Sequence, residues 1–136
     1  ITIPLLLKKY KIHAFEINNE TLEAINIAAK KHGLSNNVVT KKRNLKTTPL
    51  NPEELTKYDA IIIDPPRSGA HLQFSNIATS KVPIVVSISC NINTFIRDSK
   101  SLIENNYVLK WVQPIDQFLF SSHVELVGLF EIRKSD

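Results

Sequence analysis

Methionine is absent from all 136 residues, position 1 included, so the chain is expected to begin inside a longer reading frame or to have been processed. Cysteine occurs once, as Cys90, which excludes a disulfide framework within the chain and any zinc site built on several thiols. Glycine occurs only at Gly33, Gly69 and Gly128, and none of these belongs to a glycine-rich nucleotide loop. No apolar run approaches the roughly 20 residues of a membrane span. Ile1–Leu7 is too short for a signal peptide and has no cleavage site. A soluble, reducing, cytoplasmic setting is the resulting expectation.

What is present describes a folded protein. Hydrophobic residues make up 43%, ordinary for a globular chain and incompatible with a disordered tail. One domain is expected at this length, and it can bury roughly two thirds of its unfolded surface. Seventeen Lys and Arg against 13 Asp and Glu give a net charge of +4 and a pI near 9.2. Basic residues cluster at Lys8, Lys9 and Lys11, at Lys30 and Lys31, and at Lys41, Lys42, Arg43 and Lys46. That excess is compatible with a nucleic-acid partner and equally with a solvated surface.

Strand and helix patterns alternate along the chain. "YKIHAFEI" (10–17) reads as a strand ending at Glu16, followed by a helix capped by Asn18 or Asn19 and running to about His32, where Gly33 can close it. "NVVTKK" (37–42) is a second strand, and 46–57 a loop with one helical turn. "YDAIIID" (58–64) has the near-continuous apolar character of a buried parallel strand, stopped by two prolines. A helix is expected over 71–80, a strand over 82–89, and a helix capped by Asn93 or Thr94 to about Asn105. Phe95, Ile96, Ser99, Leu102 and Ile103 mark the expected inner face of that last helix. Residues 107–116 and 123–133 complete the pattern as two strands. The alternation indicates an α/β fold with a largely parallel sheet.

Ligands of such sheets bind beyond the carboxyl ends of the strands. Glu16, Asp64 and Cys90 fall there. An acid at Glu16 can accept from both hydroxyls of a nucleoside ribose; otherwise it is a surface carboxylate beside a helix N-terminus, worth a few tenths of a kcal/mol. Asp64 follows an apolar strand and precedes rigid prolines, and an ionised acid at the end of a buried strand needs a partner. Cys90 is either a small buried hydrophobe or a nucleophile. A helix start favours the thiolate there, which is only about 3% populated at pH 7 for an unperturbed thiol.

Together the strings "FEINNETLEAINIAAKKHGLSN", "RNL", "IIIDPPRSG", "VSISCNINTFIRD" and "DQFLFSSHVELV" resemble the uracil-5 RNA methyltransferases. Those enzymes use S-adenosylmethionine to make 5-methyluridine in tRNA and 23S ribosomal RNA. The likeness covers nearly the whole chain in the family's order and spacing. It implies a Rossmann-like class I S-adenosylmethionine-dependent methyltransferase fold. The sheet is then mostly parallel and truncated at the amino end, with residues 1–136 the carboxyl-terminal part of the catalytic domain. The resemblance also implies roles by position. Glu16 would bind the donor ribose, Asn44 would lie near its adenine end, and Asp64 would line the junction of donor and base. Cys90 would be the nucleophile and Glu125 the general base; His123 beside Glu125 reads, from the residues themselves, as structural rather than a metal ligand.

The sequence departs from the family in places. Ile92 stands where many members have proline, and "DQFLF" replaces a loop with methionine and proline. The glycine-rich donor loop and first strand have no counterpart. "ITIPLL" matches the stretch after that loop, and the missing strand would lie between those ending at Glu16 and Asp64. Residues 1–136 alone are then expected to bind the donor weakly or not at all. The leading reading is an RNA uracil-5 methyltransferase acting on ribosomal RNA rather than tRNA. An alternative is an inactive RNA-binding or interaction remnant of one. An adenine amino-methyltransferase is disfavoured, since Arg67 stands where those enzymes carry an aromatic residue, and they have no use for Cys90.

Overall fold

A computed structural model of the chain describes residues 1–116 and 124–133. These form two compact units, residues 1–48 and the described residues from Pro49 onward. No helix among the described residues is long and apolar enough to cross a membrane.

The first unit contains α1 (Thr2–Leu7), β1 (Ile12–Glu16), α2 (Asn19–Lys31) and β2 (Val38–Lys42). β1 and β2 run parallel, with Ile12 beside Val38 and Glu16 beside Lys42. α2 begins where Asn18 accepts from the amides of Glu20 and Thr21, satisfying donors that have no partner within the helix. It ends in a Schellman turn: Leu34 N–H reaches Ala29 O, Gly33 N–H reaches Lys30 O, and Gly33 takes φ +68°. Leu22 and Ala29 are its buried positions, and the Asn26 carboxamide ties the helix to Thr40 of β2. Leu6 buries α1 in the same core. Lys8, Lys9, Lys11, Lys30, Lys31, Lys41, Lys42 and Lys46 are all exposed.

The second unit contains α3 (Pro52–Leu55), β3 (Ala60–Ile63), α4 (His71–Ser80), β4 (Ile84–Ser89), α5 (Ile92–Glu104), β5 (Tyr107–Ile115) and β6 (Glu125–Ile132). Its sheet has the order β3-β4-β6-β5. β3 and β4 are parallel, and β6 pairs antiparallel with both β4 and β5. Only β6 runs against the others. β1 and β3 belong to separate sheets.

β4 buries Val85, Ser87 and Ser89 and leaves the alternate positions more open, the period-two pattern of a strand covered on one face. On the covered face α5 comes close because the partner positions are small: Gly128 lies opposite Ser87. A Cβ on Gly128 would stand 2.7 Å from Phe95 Cζ. The Phe95 ring meets Phe130 at 6.2 Å between centroids. Burying a side chain of this size contributes about 1.5–3 kcal/mol. Tyr107 is fully buried, with its hydroxyl donating to Val82 O at 2.7 Å, and desolvation pushes its pKa up to about 12.

Three expectations are corrected. β3 is not wholly buried: Ala60 and Ile62 are exposed and Ile63 is buried, because β3 is an edge strand of its sheet. α5 is capped by Asn91, whose side chain accepts from the Asn93 amide, and the helix starts at Ile92. Its inner face is Phe95, Asp98, Ser99 and Leu102, while Ile96 and Ile103 stay 61% and 53% exposed.

Candidate functional site

Within the first unit, Glu16 closes β1 as its chain turns toward α2. The carboxylate is fixed by its own turn: Oε1 accepts from Ile17 N–H at 2.7 Å and Asn18 N–H at 3.0 Å. Oε2 has no partner among the described residues, so it can accept from a ligand hydroxyl. The strand-end position beside Glu16 belongs to β2, since Arg43 N–H donates to Glu16 O at 2.9 Å. Asn44 follows. Its Oδ1 accepts from Lys46 N–H at 3.1 Å, and its carbonyl accepts from the amides of Thr47 and Thr48. The unit thus brings Glu16 and Asn44 to one end of the β1–β2 ladder. An acceptor pinned by backbone amides suits a ribose hydroxyl, so Glu16 fits that part of an adenosyl donor.

In the second unit, Asp64 follows β3 and Cys90 follows β4, parallel neighbours whose carboxyl ends lie side by side. β6 begins at that same end with Glu125, and β5 finishes there, Ile115 pairing with Glu125. The β4–β6 ladder pairs Ser89 with Leu126. Cys90 follows Ser89, and Glu125 precedes Leu126. Cys90 and Glu125 are both half-buried. Thiol and carboxylate, 35 positions apart in sequence, therefore flank the last pair of the β4–β6 ladder at one end of the sheet. The part of "DQFLFSSHVELV" from Gln117 to His123 lies outside the described residues.

Asp64 departs from its expected setting. It is exposed, because the strand before it is a sheet edge. Nonetheless the protein around its carboxyl strips enough solvent to raise its pKa above the ordinary carboxylate value.

The loop after Asp64 is gripped by the start of α5. Asn91 Nδ2 and Thr94 Oγ1 both donate to Arg67 O, at 3.3 and 3.4 Å. Arg97 Nη2 donates to Ser68 O at 3.0 Å, and Ala70 N–H donates to Asp98 Oδ2 at 2.8 Å. Asp98, 1% exposed, also pairs with the Arg97 guanidinium at 2.7–2.8 Å. Asp98 is not among the residues expected on the inner face of α5. The signal that could have found it is spacing: 95, 98, 99 and 102 share one face of a helix.

A profile of the tRNA (Uracil-5-)-methyltransferase family matches residues 6–134. An uncharacterized RNA methyltransferase of Agrobacterium fabrum is 41% identical over 121 residues, 89% of this chain and 29% of that protein. Another, from Zymomonas mobilis, is 42% identical over 123 residues, 90% of this chain and 30% of that protein. The chain thus spans less than a third of the length of these relatives. Among solved structures, M. capricolum TrmK in complex with S-adenosyl-homocysteine aligns with a TM-score of 0.72 at 21% identity, over 98% of this chain and 57% of that one. The fold is accordingly the Rossmann-like fold of S-adenosylmethionine-dependent methyltransferases.

Proposed function

The chain belongs to the tRNA (uracil-5-)-methyltransferase family, and from that premise we propose that residues 1–136 are the carboxyl-terminal part of the catalytic domain of a cytoplasmic RNA methyltransferase that converts a uridine to 5-methyluridine through a covalent Cys90 adduct. S-adenosylmethionine, when bound, supplies an electrophilic methyl group. Glu16 receives its ribose hydroxyls, Asn44 lies toward its adenine, and Asp64 lines the junction with the target base.

Uracil C5 is a weak nucleophile, and Cys90 is what changes that. Its thiolate forms a bond to C6, and the displaced C5–C6 electrons make an enolate. C5 then bonds to the methyl carbon as the carbon–sulfur bond of the donor breaks. Glu125 takes the C5 proton, the C5–C6 double bond re-forms, and the thiolate leaves. A methyl group has replaced a proton, and Cys90 is restored. The observation that supports this reading is the β4–β6 register, whose last pair, Ser89 with Leu126, is flanked by Cys90 and Glu125 at one end of the sheet.

The experiment is release of tritium from RNA labelled at uridine C5, with full-length protein and methyl donor. Methylation at C5 must send the label to water. RNA retention without release would instead indicate the inactive, RNA-binding alternative. Ribosomal RNA is the proposed target, and the same assay run on 23S and transfer RNA transcripts decides between them.

A further inference from the structure

From the contacts between α5 and the loop after β3, we infer that Asp98, with Arg97, is a positioning residue that locks the Pro66–Ala70 loop onto the helix following Cys90 and so fixes Asp64 and Cys90 relative to one another. The inference rests on Cys90 being the nucleophile.

Every part of the lock is a directed polar contact. Asp98 is buried, so its charge needs partners, and it has two. Oδ2 takes the Ala70 amide at 2.8 Å, and Oδ1 takes Arg97 Nε at 2.8 Å. Arg97 spends a further N–H on Ser68 O. Asn91 and Thr94 hold the preceding carbonyl, that of Arg67. Gly69 completes the fit. Its φ is +76°, and a Cβ there would run into Arg97 Nη2 and Asp98 Oδ2. The glycine lets the loop lie directly on the ion pair. Phe95 and Leu102, on the same face of α5, anchor the helix in the core, so the loop is referenced to the rigid sheet.

Asp98 touches no reacting atom in this scheme. Its effect is on the spacing of two strand ends, where a displacement of about 1 Å can cost a hundredfold in rate. A bystander role would lower stability alone.

The test uses full-length protein with Asp98→Asn, Arg97→Ala and Gly69→Ala. Tyr107→Phe serves as a control that loses a buried hydrogen bond away from the loop. Two readouts need no activity: hydrogen exchange at the Ala70 amide, and alkylation of Cys90 by iodoacetamide followed on its peptide by mass spectrometry. Each loop variant is expected to speed Ala70 exchange and alter Cys90 alkylation by roughly tenfold or more, with Tyr107→Phe unchanged in both. Methylation kcat should fall with them, while KM for RNA stays within about twofold. Folded variants whose Ala70 exchange and Cys90 alkylation match wild type would overturn the inference. So would the same changes in the control. A wild-type protein that shows the lock in both readouts but no methylation would overturn the functional reading and leave the lock standing.

Discussion

Gly128 and Asp64 show how single residues set the balance at this sheet. Phe95 fills the space a side chain at Gly128 would need. Gly128→Ala forces ring or helix to move, and overpacking of this kind costs about 1–3 kcal/mol. Thermal unfolding should show a lowered Tm, whereas an unchanged Tm would mean that α5 does not seat on β6 as described. At Asp64 the consequence is pH dependence. The carboxyl is raised in the folded state, so between the ordinary carboxylate value and the raised one the folded protein binds more protons than the unfolded chain. Stability contributed by this group is present in acid and declines as pH rises through that window. Asp64→Asn removes the effect. In urea melts the variant should gain on wild type as pH rises above the ordinary carboxylate value. A variant that loses ground over that range would contradict the assignment.

Most elements were legible from the sequence because their signals were local. Asn18 as a cap, Gly33 as a stop, the proline break after Asp64 and the apolar runs of β4 and β6 each carry a short-range cause. α5 was legible in extent but not in orientation. Hydrophobicity nominated Ile96 and Ile103 for the interior, yet both are exposed and Asp98 is buried. A charge is admitted to the core there because Ala70 N–H and Arg97 satisfy it, and those partners come from a loop and a neighbour that periodicity cannot see. The cap was displaced for a similar reason. Asn91 bonds the Asn93 amide and also reaches across to Arg67 O. Asn91→Ala should therefore cost about 1 kcal/mol or more of stability in chemical denaturation. Asn93→Ala, at an exposed position, should stay within about 0.5 kcal/mol. Equal losses would return the cap to the position expected from sequence.

At the scale of the whole molecule, the resemblance names five candidate residues, and strand pairing groups them by strand end. Asp64, Cys90 and Glu125 come to one end of the β3-β4-β6-β5 sheet, and Glu16 and Asn44 to one end of the β1–β2 pair. The antiparallel β6 is decisive, because only a reversed strand delivers its first residue to the carboxyl ends of its neighbours. In the proposed mechanism thiol and carboxylate have separate tasks, and their loss must have different consequences. Full-length protein, methyl donor and labelled uridine-containing RNA, resolved on a denaturing gel, measure this directly. Cys90→Ala should form no covalent adduct, because the attacking sulfur is gone. Glu125→Gln should attack and methylate, then stall before elimination, leaving protein joined to RNA through a thioether. Normal turnover by Glu125→Gln, or no more adduct than Cys90→Ala gives, would contradict the assignment of Glu125 as the base.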